Sequence, residues 1–500
     1  MSSRAFRLAG VGLTLLCAGT EAAAQQSSCD LRSSRRVVSS QSSNARVSYV
    51  SAPRFECTDG TSIEADSSVT FEATSFTQLF GEVIFRDGQR ELYADRAQYF
   101  SRVGRLQAQG SVRLLNLEDG SLMTGEDLIL LQESDNRAEE DVIMREGRPH
   151  ARLIIPRVGP DSTAVEGSAG ASQPENSGET VPYEVDADLI HLVGDRLFQA
   201  RGRVAVTHEA LQAYGDSLEF QKDIGSLTLF ENARVLSQDT VSGDTLDVRG
   251  DTITMDLPND RLDELEARGR AQLLAGDVDM RGPMIRLVFE EEELERVFAV
   301  ERAVEEELAP VSAREKQQTV STNPTRPRAV AEDFVLTGDS IEADLVGGEL
   351  DRVTATGTAR GVSTAKDSLN TDTIDELIRA DWIEGDTIIA TFRSVLVDSG
   401  EPPTDGRSTG EPTERQMDRL VARGYARSFY RSTPETAVAD RAIGPEELEL
   451  SYVIGDEVRL FMKDGEVERM EVDNPTGVYL QPRRTPADSV APGGNGDNNE

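Results

Sequence analysis

Residues 105–114 read RLQAQGSVRL, in which Leu106, Ala108, Gly110, Val112 and Leu114 alternate with Gln107, Gln109, Ser111 and Arg113. A period of two marks an extended strand with one dry and one wet face. The pattern recurs. ADRAQYFSRVGRLQAQGSVRL (94–114) overlays GDSLEFQKDIGSLTLFENARV (215–235) without a gap, matching Asp95 to Asp216, Tyr99 to Phe220, Val103-Gly104 to Ile224-Gly225 and Leu106 to Leu227. Further on, GDTITMDLPNDRLDELEARGRA (250–271) overlays GDSIEADLVGGELDRVTATGTA (338–359), again without a gap. MDRLVARGYA (417–426) repeats the second half of that phrase, and GDEVRLFMKDGEVERMEV (455–472) is a looser copy. GEVIF (81–85), GSVRL (110–114) and GRVAV (202–206) repeat its last strand, with Gly81 and Gly110 29 residues apart. A period of that size signals an array of one supersecondary unit.

Asp87-Gly88, Asn259-Asp260, Gly347-Gly348 and Asp464-Gly465 separate the strands and suit the positive φ of hairpin turns. The unit is therefore a hairpin, and the chain reads as all-β, a long antiparallel meander. A lone hairpin is only marginally stable in water, so each must bury its apolar face against its neighbours.

The array spans three stretches, 59–155, 183–310 and 333–482. The linkers 156–182 and 311–332, an insertion near 399–413 and the tail 483–500 have the Pro, Ser, Gly and charge content of disorder. Short helices are expected at Thr373–Ile383 and Glu414–Val421, and the acidic stretch 289–298 reads as a strand or a helix. At the start, Arg4 and Arg7 precede the apolar run Leu8–Ala18, and Ala22-Ala23-Ala24 follows. That layout predicts a secretory signal peptide over 1–24, ahead of a Ser-rich arm at 25–58. No later stretch approaches the roughly 20 apolar residues of a membrane-spanning helix.

Export changes the reading of the cysteines. Cys29 and Cys57 remain after cleavage, and an oxidising compartment allows them to pair. The formal net charge of −38 disfavours nucleic acid and anionic headgroups as charge-bound partners.

Enzyme chemistry finds little to work with. The three histidines, His150, His191 and His208, belong to no HExxH, and the chain has no CxxC or phosphate-cradling glycine loop. His191 and His208 flank a turn and could face each other, too few ligands for zinc. Asp95, Asp188, Asp216, Asp251, Asp339 and Asp381 recur once per unit rather than converging on a cleft. Their Gly or Ala neighbours suit a bulge or a side-chain contact to a turn, with calcium on an acidic edge as a lesser alternative. No catalytic residue, metal or cofactor is expected.

The order GEVIF, LYADRAQYF, LQAQGSVRL, LMTGEDLIL over 79–131 resembles the OstA-like family of lipopolysaccharide-transport proteins, and the likeness continues more weakly over 184–302 and 333–480. It extends to the domain that precedes the barrel of the outer-membrane assembly protein; neither that barrel nor the helical anchor of the inner-membrane component is expected here. The resemblance implies elongated β-jellyroll modules, open along one side, that shield acyl chains in the periplasm. It also implies lipopolysaccharide or a related glycolipid as cargo, and partners or further copies joined end to end through edge strands.

On that reading the groove is lined by Val83, Phe85, Leu92, Tyr99, Leu106, Val112, Leu114, Val204, Phe220, Leu227, Ile253, Leu262, Leu265, Ile341, Leu350 and Val353. Small inward residues (Ala97, Ala108, Ala200, Ala267, Ala355, Ala422) and only 5% aromatics lead us to expect an underfilled interior, with headgroups outside near Arg113, Arg203 or Arg270. The alternatives are a lipid-free scaffold on the same fold, for which the core should be full, and a carbohydrate-active enzyme.

Overall fold

The computed structural model describes residues 29–42, 45–134, 136–154, 181–238, 245–258, 261–276, 278–290, 293–301, 326–331, 334–363, 380–396, 413–432, 449–463 and 466–481. The expected signal peptide and tail, and most of the expected linkers, lie outside them. The fold is all-β, with a three-residue 3-10 turn at Glu72–Thr74. Among the described residues no helix is long and apolar enough to cross a membrane. The chain divides into two compact units, one of Met1–Val112 with Leu128–Val142, the other of Arg113–Asp127 with Ile143–Glu500.

In the first unit, Cys29–Ser33 pairs with Arg54–Cys57 and a Cys29–Cys57 disulfide joins register partners. The pairing expected for these thiols is present. Strand Phe76–Arg86 carries Ser67–Phe71 along its first half, Ser62–Glu64 along its second half and Arg90–Phe100 along its other edge.

The second unit repeats this plan at length. Leu197–His208, Leu211–Gln221, Ser226–Gln238, Thr245–Asp256, Glu264–Ala275 and Val278–Glu290 form one antiparallel ladder in chain order. Its first strand receives Tyr183–Asp186 on one half and Leu189–Val193 on the other. Its last strand hands over to Glu293–Val300 and Arg328–Ala331 in the same way. Short strands then lead to Glu349–Ser363, which starts a second ladder through Asp381–Leu396, Thr413–Ser432 and Glu449–Lys463.

A long strand can serve two short partners because it is bent in the middle. Pairing between Leu197–His208 and Leu211–Gln221 stops at Arg201↔Ser217 and resumes at Val204↔Gly215, so Gly202 and Arg203 oppose Asp216 alone. Two residues against one is a bulge, and bulges bend the strand that carries them. Both members are left-handed: Gly202 at φ +79° and Arg203 at +49°, and likewise Gly269-Arg270, Gly357-Thr358 and Gly424-Tyr425. An aspartate from the neighbouring earlier segment of the chain fills the space where a side chain on the glycine would go. A Cβ on Gly202 would lie 2.6 Å from Asp188 Oδ2, and one on Gly269 would lie 2.4 Å from Asp251 Oδ2. The phrase noted in the sequence recurs because most corners use the same glycine and the same carboxylate; at Glu231-Asn232 the left-handed doublet has no glycine.

The bend folds each strand so that its two halves face each other as two walls. Phe198 and Val206, on opposite halves of one strand, line the same small cavity. Walls that converge on a corner leave less room beside it, and alanine often takes that position, with larger groups farther out. Ala200 precedes the corner at Gly202 and Phe198 lies beyond it; Ala267 and Leu265, or Ala422 and Leu420, repeat the taper, and all six are buried.

The expected helix at Glu414–Val421 is instead strand, part of Thr413–Ser432. Met417, Leu420 and Val421 mimic helical spacing because Asp418 is extra to the ladder, which passes from Thr391↔Arg419 to Phe392↔Met417. Glu295, Asp351 and Glu468 are skipped in the same manner, and each of the four is followed by an arginine. Of the other expected helix, 381–383 is strand and the part before 380 falls outside the described residues. Residues 289–298 resolve as the end of one strand and the start of the next, with 291–292 not described.

Two outcomes follow from the corner and the disulfide. Gly269→Ala should cost at least about 2 kcal/mol, against about 1 kcal/mol for Gly347→Ala, a left-handed glycine with no atom near its missing Cβ. Adding Asp251→Ala should recover part of the first loss in chemical denaturation. Cys29→Ser opens a loop whose ends are 28 residues apart and should destabilise the first unit by about 3–4 kcal/mol, read as a lower melting temperature.

Candidate functional site

The feature that most invites a ligand is the apolar interior between the walls. Fourteen of the sixteen residues expected to line a groove are buried there, from Val83, Phe85 and Leu92 to Ile341 and Val353. Leu262 and Leu350 are half-buried near hairpin ends. The sequence thus identifies the inward face, but not its state. The expected underfilled interior is not found in the described cavity of the second unit, which is about 10 Å3, room for about one water. Leu153, Tyr183, Val185 and Val206 line it from one wall and Phe198, Leu218, Phe220 and Leu227 from the other. Ala97, Ala108, Ala200, Ala267, Ala355 and Ala422 are all buried, where small side chains let the two walls approach near the corner.

The recurring aspartates lie at the corners, outside this core. Asp95 lies against Gly110, Asp188 against Gly202, Asp251 against Gly269 and Asp339 against Gly357, while Asp216 accepts a hydrogen bond from Asn232 Nδ2 at 3.0 Å. Asp381 does not belong to the series. It accepts from Arg431 Nε at 2.8 Å and from the Arg431 backbone N–H at 3.1 Å, and Asp386 takes the corner position against Gly424. The Gly-Asp pair at 385–386, like those at 215–216 and 250–251, is the signal that distinguishes it. Asp66 and Asp456 also occupy corners, against Gly81 and beside Asn474.

Arg203 and Arg270, expected near headgroups, are instead corner residues already paired. Arg203 donates to Asp188 at 2.5 Å and Arg270 Nε to Asp251 at 2.9 Å. The hydrogen bond from Arg203 holds the Asp188 carboxyl below the usual range. Arg113 is exposed. On the outer face of a wall, Asp247 is nearly buried between Arg234 at 2.7 Å and Arg249 at 2.6 Å. Its burial pushes the carboxyl up, the two arginines pull it down, and the arginines prevail.

The histidines do not meet. His191 pairs with Gln199 in one wall, and His208 stacks on Tyr183 with ring centres 3.8 Å apart. His150 lies between Glu184 at 2.9 Å and Asp186 at 3.2 Å, its two nitrogens turned to different carboxylates. Among the described residues no group of three or more His, Cys, Asp or Glu could hold a metal ion.

No known family model matches the chain, and no curated protein matches it in sequence. Among solved structures it is similar to LptH, described as the LptA homologous periplasmic component of the conserved lipopolysaccharide transport device from Pseudomonas aeruginosa. The match has 14% identity and a TM-score of 0.17, covering 37% of this chain and 93% of that one.

The Asp188 contact makes a pH prediction. A carboxyl whose folded pKa is depressed adds stability above its unfolded value, about 3.9, and loses it as pH falls through the folded value. Asp188→Asn should therefore be less stable than the parent at neutral pH. In urea melts the gap should narrow below about pH 4, and added salt should shrink it.

Proposed function

We propose that the protein carries lipopolysaccharide or a related glycolipid by its acyl chains, in the periplasm between the inner and outer membranes. The observation that carries this reading is the interior itself. It is a continuous apolar seam within each ladder, walled by two halves of the same strands, and hairpin turns such as 209–210 and 222–225 stay within one wall. The backbone therefore links the walls at the corners, and elsewhere they meet through side chains. Such walls can part without breaking a ladder.

Magnitudes allow the exchange. Exposing four large apolar side chains costs about 6–12 kcal/mol, and burying an acyl chain of about ten methylenes returns about 8 kcal/mol. Cargo and core are therefore near balance, and a closed interior without lipid is the expected resting state. Headgroups stay outside, where the corner arginines are already occupied. Edge strands such as Arg36–Ser42, with Val37 and Val38 48% and 46% exposed, offer addition sites for other transport components or further copies.

The small size of this cavity also favours the second reading, a lipid-free periplasmic or surface scaffold. A photo-crosslinking residue separates the two. At Phe220 or Leu227, facing inward, it should capture lipopolysaccharide in cells; at Thr228, the next position along the strand and facing outward, it should not. If every inward position stays free of lipid adducts, and native mass spectrometry of the protein from its own envelope shows no glycolipid, the scaffold is correct.

A further inference from the structure

The closed interior poses a mechanical question, since a cavity the size of one water admits an acyl chain only if the walls separate. We propose that the line of corners is the hinge on which they separate, and that the contacts made by the corner aspartates are the latch that holds the angle. The proposal rests on the carrier reading for its purpose, though not for its geometry.

Three observations point to the corners. First, ladder pairing is interrupted there on strand after strand of the second unit: between Arg201 and Val204, Phe230 and Ala233, Arg268 and Ala271, Thr356 and Ala359, and Arg423 and Ala426. Because these breaks lie on consecutive corners, a rotation about them leaves the pairing of each wall intact. Second, four of these doublets begin with glycine, the residue that best absorbs a change in φ and ψ, and end in a left-handed residue that is not glycine. Tyr425, at φ +49°, is 85% exposed, so its side chain does not brace that corner.

Third, the contacts that fix the angle are polar, outside the core and easily exchanged for water. Arg203 donates to Asp188 at 2.5 Å, Asn232 to Asp216 at 3.0 Å, Arg270 Nε to Asp251 at 2.9 Å and Arg326 to Asp339 at 2.7 Å. Exposed pairs of this kind each hold a geometry weakly, and a row of them holds it cooperatively. Facing them across the fold is the wholly apolar lining from Phe198 to Val206, which resists water and accepts hydrocarbon. Opening toward the margins thus exchanges apolar contacts for acyl chains and strains the corner contacts alone.

Spin labels at Ala210→Cys and Asp223→Cys, in the turns at the two ends of Leu211–Gln221, report the bend of a single strand in the full-length protein with Cys29–Cys57 left oxidised. Without lipid, Arg203→Gln combined with Asn232→Ala should raise the population at longer distance roughly two- to fivefold, the change expected for weak exposed contacts. Purified lipopolysaccharide should shift the parent protein the same way. A disulfide across the walls, Val206→Cys with Phe220→Cys, should abolish lipopolysaccharide uptake. One within a wall, Ala200→Cys with Leu218→Cys, joins register partners and should leave uptake unchanged. The hinge is overturned if the cross-wall disulfide takes up lipopolysaccharide at the parent rate, or if the distances are unmoved both in the corner variant and with lipid bound. If the parent binds no lipopolysaccharide, the carrier reading fails, and the lipid-free distances alone decide the hinge.

Discussion

A glycine in the left-handed region, pressed against a carboxylate on the strand before it, sets the geometry of this protein. The glycine is required twice over. Its φ is costly for other residues, and at Gly357 a Cβ would lie within van der Waals reach of the Asp339 side chain. The carboxylate in turn fills the notch. At Asp188 its backbone N–H donates to the Gly202 carbonyl at 3.0 Å while its side chain accepts from Arg203, so one residue fixes both the turn and its outer face. Remove this pair and a twelve-residue strand such as Leu197–His208 has no reason to bend; its two halves would then lie in one plane with an unburied apolar face.

From the bend follows the core. Folding a meander on itself gives each strand a partner for its dry face from its own other half, so the core lies near its own stretch of chain. The taper from alanine at the corner to leucine or phenylalanine farther out is the steric record of two converging walls. The polar cost is confined to the outside, where Asp247 with Arg234 and Arg249 and Glu266 with Arg268 and Arg286 form cross-strand and same-strand ion pairs. Such ladders keep a surface of high negative charge from repelling itself apart locally.

The same economy shapes function. On the carrier reading proposed above, an interior built from facing half-strands and closed by side chains would be a hydrophobic compartment whose lid is its own wall. The recurring carboxylates lie at the corners. The array form also means that the compartment lengthens by adding hairpins, each with one more alanine, one more inward aliphatic residue and one more corner.

Local patterning determined much of this from the sequence alone. Period-two alternation marked the strands and their faces: it sets Leu106, Ala108, Val112 and Leu114 on one side, and all four are buried. Turn chemistry located the hairpins, and two cysteines in a chain expected to be exported pointed to the disulfide. Long-range geometry was decided only by the tertiary structure. Alternation is blind to bulges, so the extra Asp418 makes a strand look helical, and the corner carboxylate is Asp386 rather than the nearby Asp381. Small inward residues carry no label for whether they leave a void or close one; that depends on the angle between walls, which is set at the corner by φ and by a contact with another strand. Whether an apolar face is a groove or a core is a property of two surfaces together, and a sequence lists them one residue at a time.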